Sequence, residues 1–404
     1  MTSTPVLTEM PRVEASTSSP WYATRIPELD GLRGLAILLV LIIHCIDETK
    51  FLGGNRWLSY LVAADSLSWS GVDLFFVLSG FLIGGILLDT RASSNYFKAF
   101  YARRAFRILP LYAVLVSTFY LCFYAEQHGW VPASRWLFGP NIPWYAYVTF
   151  TQNFHWAAGG PDRSNWLTPT WSLAVEEQFY LVLPAVIWFF SWRRLLYFLG
   201  SVIVAVPFLR LFLDLNFHSG NVASFCLMPC RADALLLGVA AAMLVRNKTA
   251  WESLKGHRRS LVSAWIILLA GLCAFIFFKQ TDHVGFFMTT LGFSWLALFY
   301  VGLLLLALIY PGGWLGEILR NSWLKALGTI SYGVYLIHKP VLGLVFGFFR
   351  IDQPMAQTSA GRLMVLSALA ITLAVASGSW AVFEKPLLKI GHRIKYSNAT
   401  RPRS

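Results

Sequence analysis

Two ionisable side chains, Arg33 and His44, stand eleven residues apart in the apolar stretch DGLRGLAILLVLIIHC. Charged groups inside membrane segments are costly and are functional candidates by default. On a helix, eleven residues are about three turns, roughly 16 Å of rise, and place both side chains within roughly 20° of one face. A guanidinium offers a two-pronged donor for phosphate. An imidazole, titrating near neutral pH, suits a general base acting on a hydroxyl. The separation fits a long donor such as acyl-CoA, with its phosphates near Arg33 and its pantetheine arm reaching toward His44. The alternative makes Arg33 an interfacial anchor and His44 an interhelical hydrogen-bonding group.

Other polar residues fall at the ends of apolar runs. Asp73 opens GVDLFFVLSGFLIGG, where Ser79 and Gly80 read as small residues that let helices approach closely. Glu176 and Glu177 in PTWSLAVEEQFYLVLP point about 100° apart, so one of them faces the bundle interior. A carboxylate there could fix the His44 tautomer, as the acid of a catalytic triad does. Asp47 and Glu48, three and four residues after His44, are rival local partners. Arg103, Arg104 and Arg107 in FYARRAFRILPLY precede a span; they satisfy the positive-inside rule and are candidates for holding CoA phosphates. Arg231 with Asp233 reads as an ion pair. In ISYGVYLIHKP, Tyr332, Tyr335, His338 and Lys339 sit inside a span, with His338 either a proton carrier or a packing residue.

These groups need a scaffold, and the composition defines it. Of 404 residues, 56% are hydrophobic and 13% charged, against about 25% charged in soluble domains. The solvent of such a chain is mostly lipid, so its net charge of +13 does not imply nucleic acid. About ten segments reach spanning length, at 29–47, 71–90, 108–126, 173–191, 195–213, 232–247, 260–278, 285–309, 328–349 and 362–383, the sixth being the shortest. The expected fold is an all-α polytopic bundle. Arg and Lys gather in alternate loops, around Arg91–Arg107, Arg193–Arg194, Arg246–Arg259, Arg320–Lys325 and after Lys385, whereas the opposite loops hold scattered cations such as Lys50, Arg56, Arg135, Arg163 and Lys279. That bias places both termini in the cytoplasm. The long opposite loop, 127–171, is rich in Trp and Tyr. It reads either as an interfacial belt or as a platform for a sugar ring, and its Trp144–Trp156 part as interfacial or re-entrant. Residues 1–28 form a Ser/Thr/Pro-rich tail without the apolar core of a signal peptide. The five cysteines and eight histidines show no zinc spacing, so no metal is expected.

The strings LDGLRGLAILLVLIIH, GVDLFFVLSGFLIGG, FYARRAFRILP, WSLAVEEQFYLVLP, RADALLLG, ISYGVYLIH and FEKP occur in this order between about residues 26 and 390. With them the chain resembles the bacterial membrane acyltransferase family 3. The resemblance implies an inner-membrane enzyme of ten spans that acylates, commonly acetylates, carbohydrates. It implies that Arg33 and His44 are the functional pair, that the carboxylate of the SLxVEE block is Glu176, and that Arg103, Arg104 and Arg107 belong to the donor side. The expected organisation is a tail at 1–28, a membrane acyltransferase domain at 29–390 and a basic tail at 391–404. Some relatives carry a further soluble domain, which a chain ending at Ser404 is expected to lack.

The expected reaction takes an acyl group, acetyl by the resemblance, from cytoplasmic acyl-CoA to a hydroxyl of a carbohydrate or glycoconjugate acceptor. His44 is the base, with Glu176 and Asp73 as acidic site residues and Arg33, Arg103, Arg104 and Arg107 on the CoA. No serine or cysteine elbow is evident, which favours direct transfer over an acyl-enzyme. A rival from another class is a proton-coupled transporter or flippase with His44, Asp73 and Glu176 as its relay; no internal repeat supports it.

Overall fold

A computed structural model describes residues 26–51, 67–130, 134–139, 142–158, 164–217 and 219–397. The tail 1–25, residues 398–404, and Arg56 and Arg163 of the expected charge pattern lie outside the described residues.

Apolar runs of this length must satisfy their backbone polar groups internally, which in lipid leaves helices or closed barrels. The described residues form helices and no strand. The principal ones are α1 (Pro27–Ile42), α2 (Gly71–Thr90), α3 (Tyr96–Gln127), α4 (Thr170–Phe189), α5 (Trp192–Asn216), α6 (Met228–Arg246), α7 (Arg258–Phe277), α8 (Phe293–Ile309), α9 (Ser322–Thr329), α10 (Ser331–Phe348), α11 (Ser359–Ser379) and α12 (Lys385–Arg393). Among the described residues, nine helical segments are long and apolar enough to cross a membrane. The pair α9 and α10, bent by 75° at its junction, brings the number to ten if it counts as one span. The protein is therefore a multi-pass helical membrane protein. The Trp144–Trp156 stretch folds as two short helices, Trp144–Val148 and Gln152–Ala157, too short to span.

The shortest expected span proves central. Helix α6 buries Ala234, Leu235, Val239 and Ala242 completely or nearly so and packs most closely against α2. Two facing glycines make this possible. A Cβ on Gly80 would lie 1.9 Å from the Leu235 carbonyl oxygen, and one on Gly238 2.2 Å from that of Val77. Helix α7 is the opposite case: Leu272 is its one buried residue, and it packs on the bundle mainly through α8, whose Trp295 donates to the Leu268 carbonyl at 2.8 Å.

Four charges are locked inside this core. Arg231 on α6 donates to Asp73 on α2, with its guanidinium 3.8 Å from the centre of the Phe293 ring. Arg210 of α5, fully buried, donates to Asp233 Oδ2 at 2.9 Å, to the Cys230 carbonyl at 2.7 Å and to Ser294 Oγ at 2.6 Å. Ser294 in turn donates to Asp233 at 2.5 Å. Two cations matched by two anions hold α2, α5, α6 and α8 in one register.

Two outcomes are expected. Gly238→Val drives its side chain into the Val77 carbonyl and costs about 1–3 kcal/mol, read as a lower thermal midpoint in detergent. Gly200→Val, where an added Cβ meets nothing within 4 Å, leaves that midpoint unchanged. Asp73→Ala strands Arg231 as a buried, uncompensated charge, at about 3–5 kcal/mol, and should abolish the monodisperse peak in size-exclusion chromatography.

Candidate active site

One cavity opens along the Arg33 half of α1 and has a volume of about 210 Å³. Two helices bring three cations to it: Arg33 from α1, and Arg104 and Arg107 from α3. Arg104 and Arg107 are three apart and share a helix face. Arg33 is steadied by Asp30, one turn back, at 3.2 Å. Helix α4 contributes Glu176 and Tyr180, four apart, and the Tyr180 hydroxyl donates to Glu176 Oε2 at 3.2 Å while pairing with Ser79 of α2. The remaining wall is mostly apolar, from Phe75, Leu78 and Leu82 of α2, with Ser172 of α4 and Ser331, Tyr332 and Tyr335 of α10. A narrow greasy channel with three cations along it can hold a slender arm that ends in anionic groups.

The second cavity, about 1050 Å³, surrounds His44. A π-helical turn, Ile43–Asp47, continues α1 here; such turns recur at functional sites. Its lining includes Trp69, Trp136, Trp156 and Trp171, together with Glu48, Arg135, Lys279, His283 and Lys339. The tryptophans supply flat apolar faces and the polar groups supply hydrogen bonds, a combination suited to a sugar. Val72 and Tyr335 line both cavities, so the two spaces meet at these side chains.

The hydrogen-bond partners of His44 bear on its tautomer. Its Nδ1 lies 2.9 Å from the Val40 carbonyl oxygen and 3.2 Å from His338 Nε2. His338 Nδ1 lies 2.8 Å from the Tyr335 carbonyl oxygen and 3.2 Å from that of Val334. Carbonyls only accept, so His338 carries its proton on Nδ1 and offers a lone pair on Nε2. His44 Nδ1 then faces two acceptors, which favours a proton at that nitrogen. The lone pair of His44 is left on Nε2, 3.6 Å from Glu48 Oε1. Glu48 Oε2 is itself 3.2 Å from Lys339 Nζ, which also donates to Asn165 Oδ1 at 3.2 Å.

The expected site residues are therefore divided. Arg33, Arg104, Arg107 and Glu176 share one cavity; His44 belongs to the other. The carboxylate beside His44 is Glu48, not Glu176, because α4 turns Glu176 toward α2 and α3. The Asp47 side chain lies outside the described residues. Asp73, expected at the site, lines neither cavity, since its carboxylate is bound to Arg231 in the core. Arg103 also points elsewhere: its Nε donates to the Ile394 carbonyl at 2.8 Å and its guanidinium stacks 4.7 Å from the Tyr396 ring centre. Residue 103 lies about 100° from residue 104 around the helix, which explains the split. Sequence reading missed Arg210, whose signal was a lone cation within the apolar run of α5. Among the described residues no group of three His, Cys, Asp or Glu side chains is placed to hold a metal ion.

Comparison with known proteins accords with this architecture. A family model described as an acyltransferase domain matches residues 26–382. The chain is 29% identical over 390 residues to the peptidoglycan O-acetyltransferase OatA of Listeria monocytogenes, covering 91% of this chain and 56% of that protein. It is 28% identical over 385 residues to the putative peptidoglycan O-acetyltransferase YrhL of Bacillus subtilis, with 91% and 56% covered. A putative O-acetyltransferase of Staphylococcus aureus is 28% identical over 351 residues, with 80% and 52% covered. The chain thus spans about half the length of the curated relatives it matches. No solved structure matches it. With a family model running through α1 to α11 and the two meeting cavities at its centre, the chain belongs to the membrane acyltransferase family 3.

Proposed function

We propose that this membrane acyltransferase moves an acetyl group from acetyl-CoA to a hydroxyl of a cell-wall carbohydrate, with peptidoglycan as the acceptor. One observation carries the reading: α1 presents Arg33 to one cavity, the π-helical turn that continues it presents His44 to another, and the cavities meet at Val72 and Tyr335. The cationic, narrow cavity takes the CoA arm, and the bias of the cation-rich loops supports a mouth on the cytoplasmic side of a bacterial inner membrane. The wide, tryptophan-lined cavity takes the sugar. Arg33, Arg104 and Arg107 hold the donor, and the Tyr180–Glu176 pair shapes the donor wall. The relatives, named as peptidoglycan O-acetyltransferases, support acetyl as the group and peptidoglycan as the acceptor.

In this reading the acceptor hydroxyl sits at His44 Nε2. Its oxygen attacks the thioester carbonyl as its proton passes to Nε2. Both His44 nitrogens then bear protons, Nδ1–H held by Val40 and His338, and Nε2–H turned toward the Glu48 carboxylate. The tetrahedral intermediate collapses with cleavage of the C–S bond, and the thiolate takes the proton back from Nε2. The new ester leaves through the wide cavity and CoA through the narrow one. The relay of a transporter is not favoured, because His44, Glu176 and Asp73 occupy three separate surroundings and Asp73 is engaged by Arg231.

His44→Ala should lower CoA release from acetyl-CoA with a soluble glycan acceptor by about 10²–10⁴-fold, with an unchanged elution profile. Near-normal turnover in that variant would remove His44 as the base. Arg33→Ala should raise the apparent KM for acetyl-CoA by about tenfold, from loss of a charge-assisted contact of about 1.5–3 kcal/mol. The acceptor KM should stay constant. Unchanged acetyl-CoA binding by calorimetry would take Arg33 out of the donor site.

A further inference from the structure

Histidine 338 is 1% exposed on α10 and touches neither cavity, yet its ring meets the proposed base. The His44 and His338 ring centroids are 4.9 Å apart, and the facing nitrogens are 3.2 Å apart. An imidazole buried this deeply needs partners for both nitrogens. His338 finds them in the Tyr335 carbonyl at one end and His44 at the other.

The tautomer of His44 is contested. On one side, the Glu48 carboxylate faces Nε2 at 3.6 Å and favours a proton there, which would disable the base. On the other, Nδ1 faces the Val40 carbonyl, but that oxygen already accepts from the Ile43 backbone N–H. The second acceptor at Nδ1 is His338 Nε2, and its lone pair is guaranteed because Nδ1 of the same ring donates to α10 carbonyls. The nearby cation, Lys339, points to Glu48 and Asn165 and so tempers the pull of Glu48.

We infer that His338 is a positioning residue that holds His44 as its Nδ1–H tautomer, leaving Nε2 free to take the acceptor proton. It occupies the place that a carboxylate holds in a catalytic triad, supplied here by a neutral ring that is itself locked by its own helix. The inference rests on the reading of His44 as the general base. Its structural half, the direction of the hydrogen bond between the two rings, is separately measurable.

The test uses the full chain in nanodiscs, with ¹⁵N-histidine labelling and His44 resonances assigned by difference from His44→Gln. Wild type should show His44 with Nδ1 protonated and Nε2 bare. His338→Leu should transfer population to the Nε2–H form. It should also lower kcat about tenfold or more, with acetyl-CoA and an N-acetylglucosamine oligomer, while KM for acetyl-CoA holds within about twofold. His338→Gln, whose amide oxygen can accept from Nδ1–H, should restore the wild-type spectrum and most of kcat. An Nε2–H signal in wild type, or a His338→Leu protein with unchanged spectrum and kcat, overturns the inference. If His338→Leu does not fold, the wild-type spectrum and His338→Gln still decide it. Activity surviving in His44→Ala would instead defeat the base assignment, while the tautomer spectrum would still report on His338.

Discussion

Charge neutralisation in a medium without water governs this molecule. Arg210, Asp233, Arg231 and Asp73 lie where an isolated charge would be intolerable, and each finds its opposite on another helix. The pairing admits one arrangement of α2, α5, α6 and α8, and the Gly80–Gly238 contact brings α2 and α6 to minimal separation. With that block fixed, the opposite side of α2 becomes a wall. Helices α1 and α4 pack against it, and the narrow cavity lies in the space that they enclose with α3 and α10.

Polar groups near the cavities obey a different rule. In the core Arg210 and Arg231 each meet a carboxylate directly. Arg33, Arg104 and Arg107 line the narrow cavity beside one carboxylate, Glu176, a lining that an anionic donor can complete. At His44 the arrangement is directional: carbonyls on α10 orient one imidazole, which orients the next, which presents a lone pair to the wide cavity. Stabilising interactions are concentrated in the first region and open valences in the second, and the same α2 helix borders both.

The sequence disclosed what depends on local periodicity. The spans were readable because lipid demands long apolar runs, and Glu48 was readable as a partner for His44 because i and i+4 residues are neighbours on any helix. The facing of Glu176 was not, since adjacency of Glu176 and Glu177 says that they diverge but not which neighbour each meets. Asp73 lay at the mouth of a span, and its attachment to Arg231, 158 residues away, arises from packing alone. Arg210 escaped notice because a window averaged over an apolar run hides one charge. The division of Arg103 from Arg104 and Arg107 was latent in the 100° step, but only the course of residues 394–396 gives Arg103 its own partners.

The wall shared by the two cavities has a bearing on order. On the proposed reading, donor and acceptor approach from separate mouths and touch only across Val72 and Tyr335. Neither ligand occludes the other's path, and neither product departs through the other's entrance. A catalyst so arranged has no intrinsic queue: its two substrates load in random sequence, and spent CoA competes with fresh donor but not with glycan. Acyl groups then cross the membrane's thickness as a bond passed between two stationary partners, without a carrier making the journey.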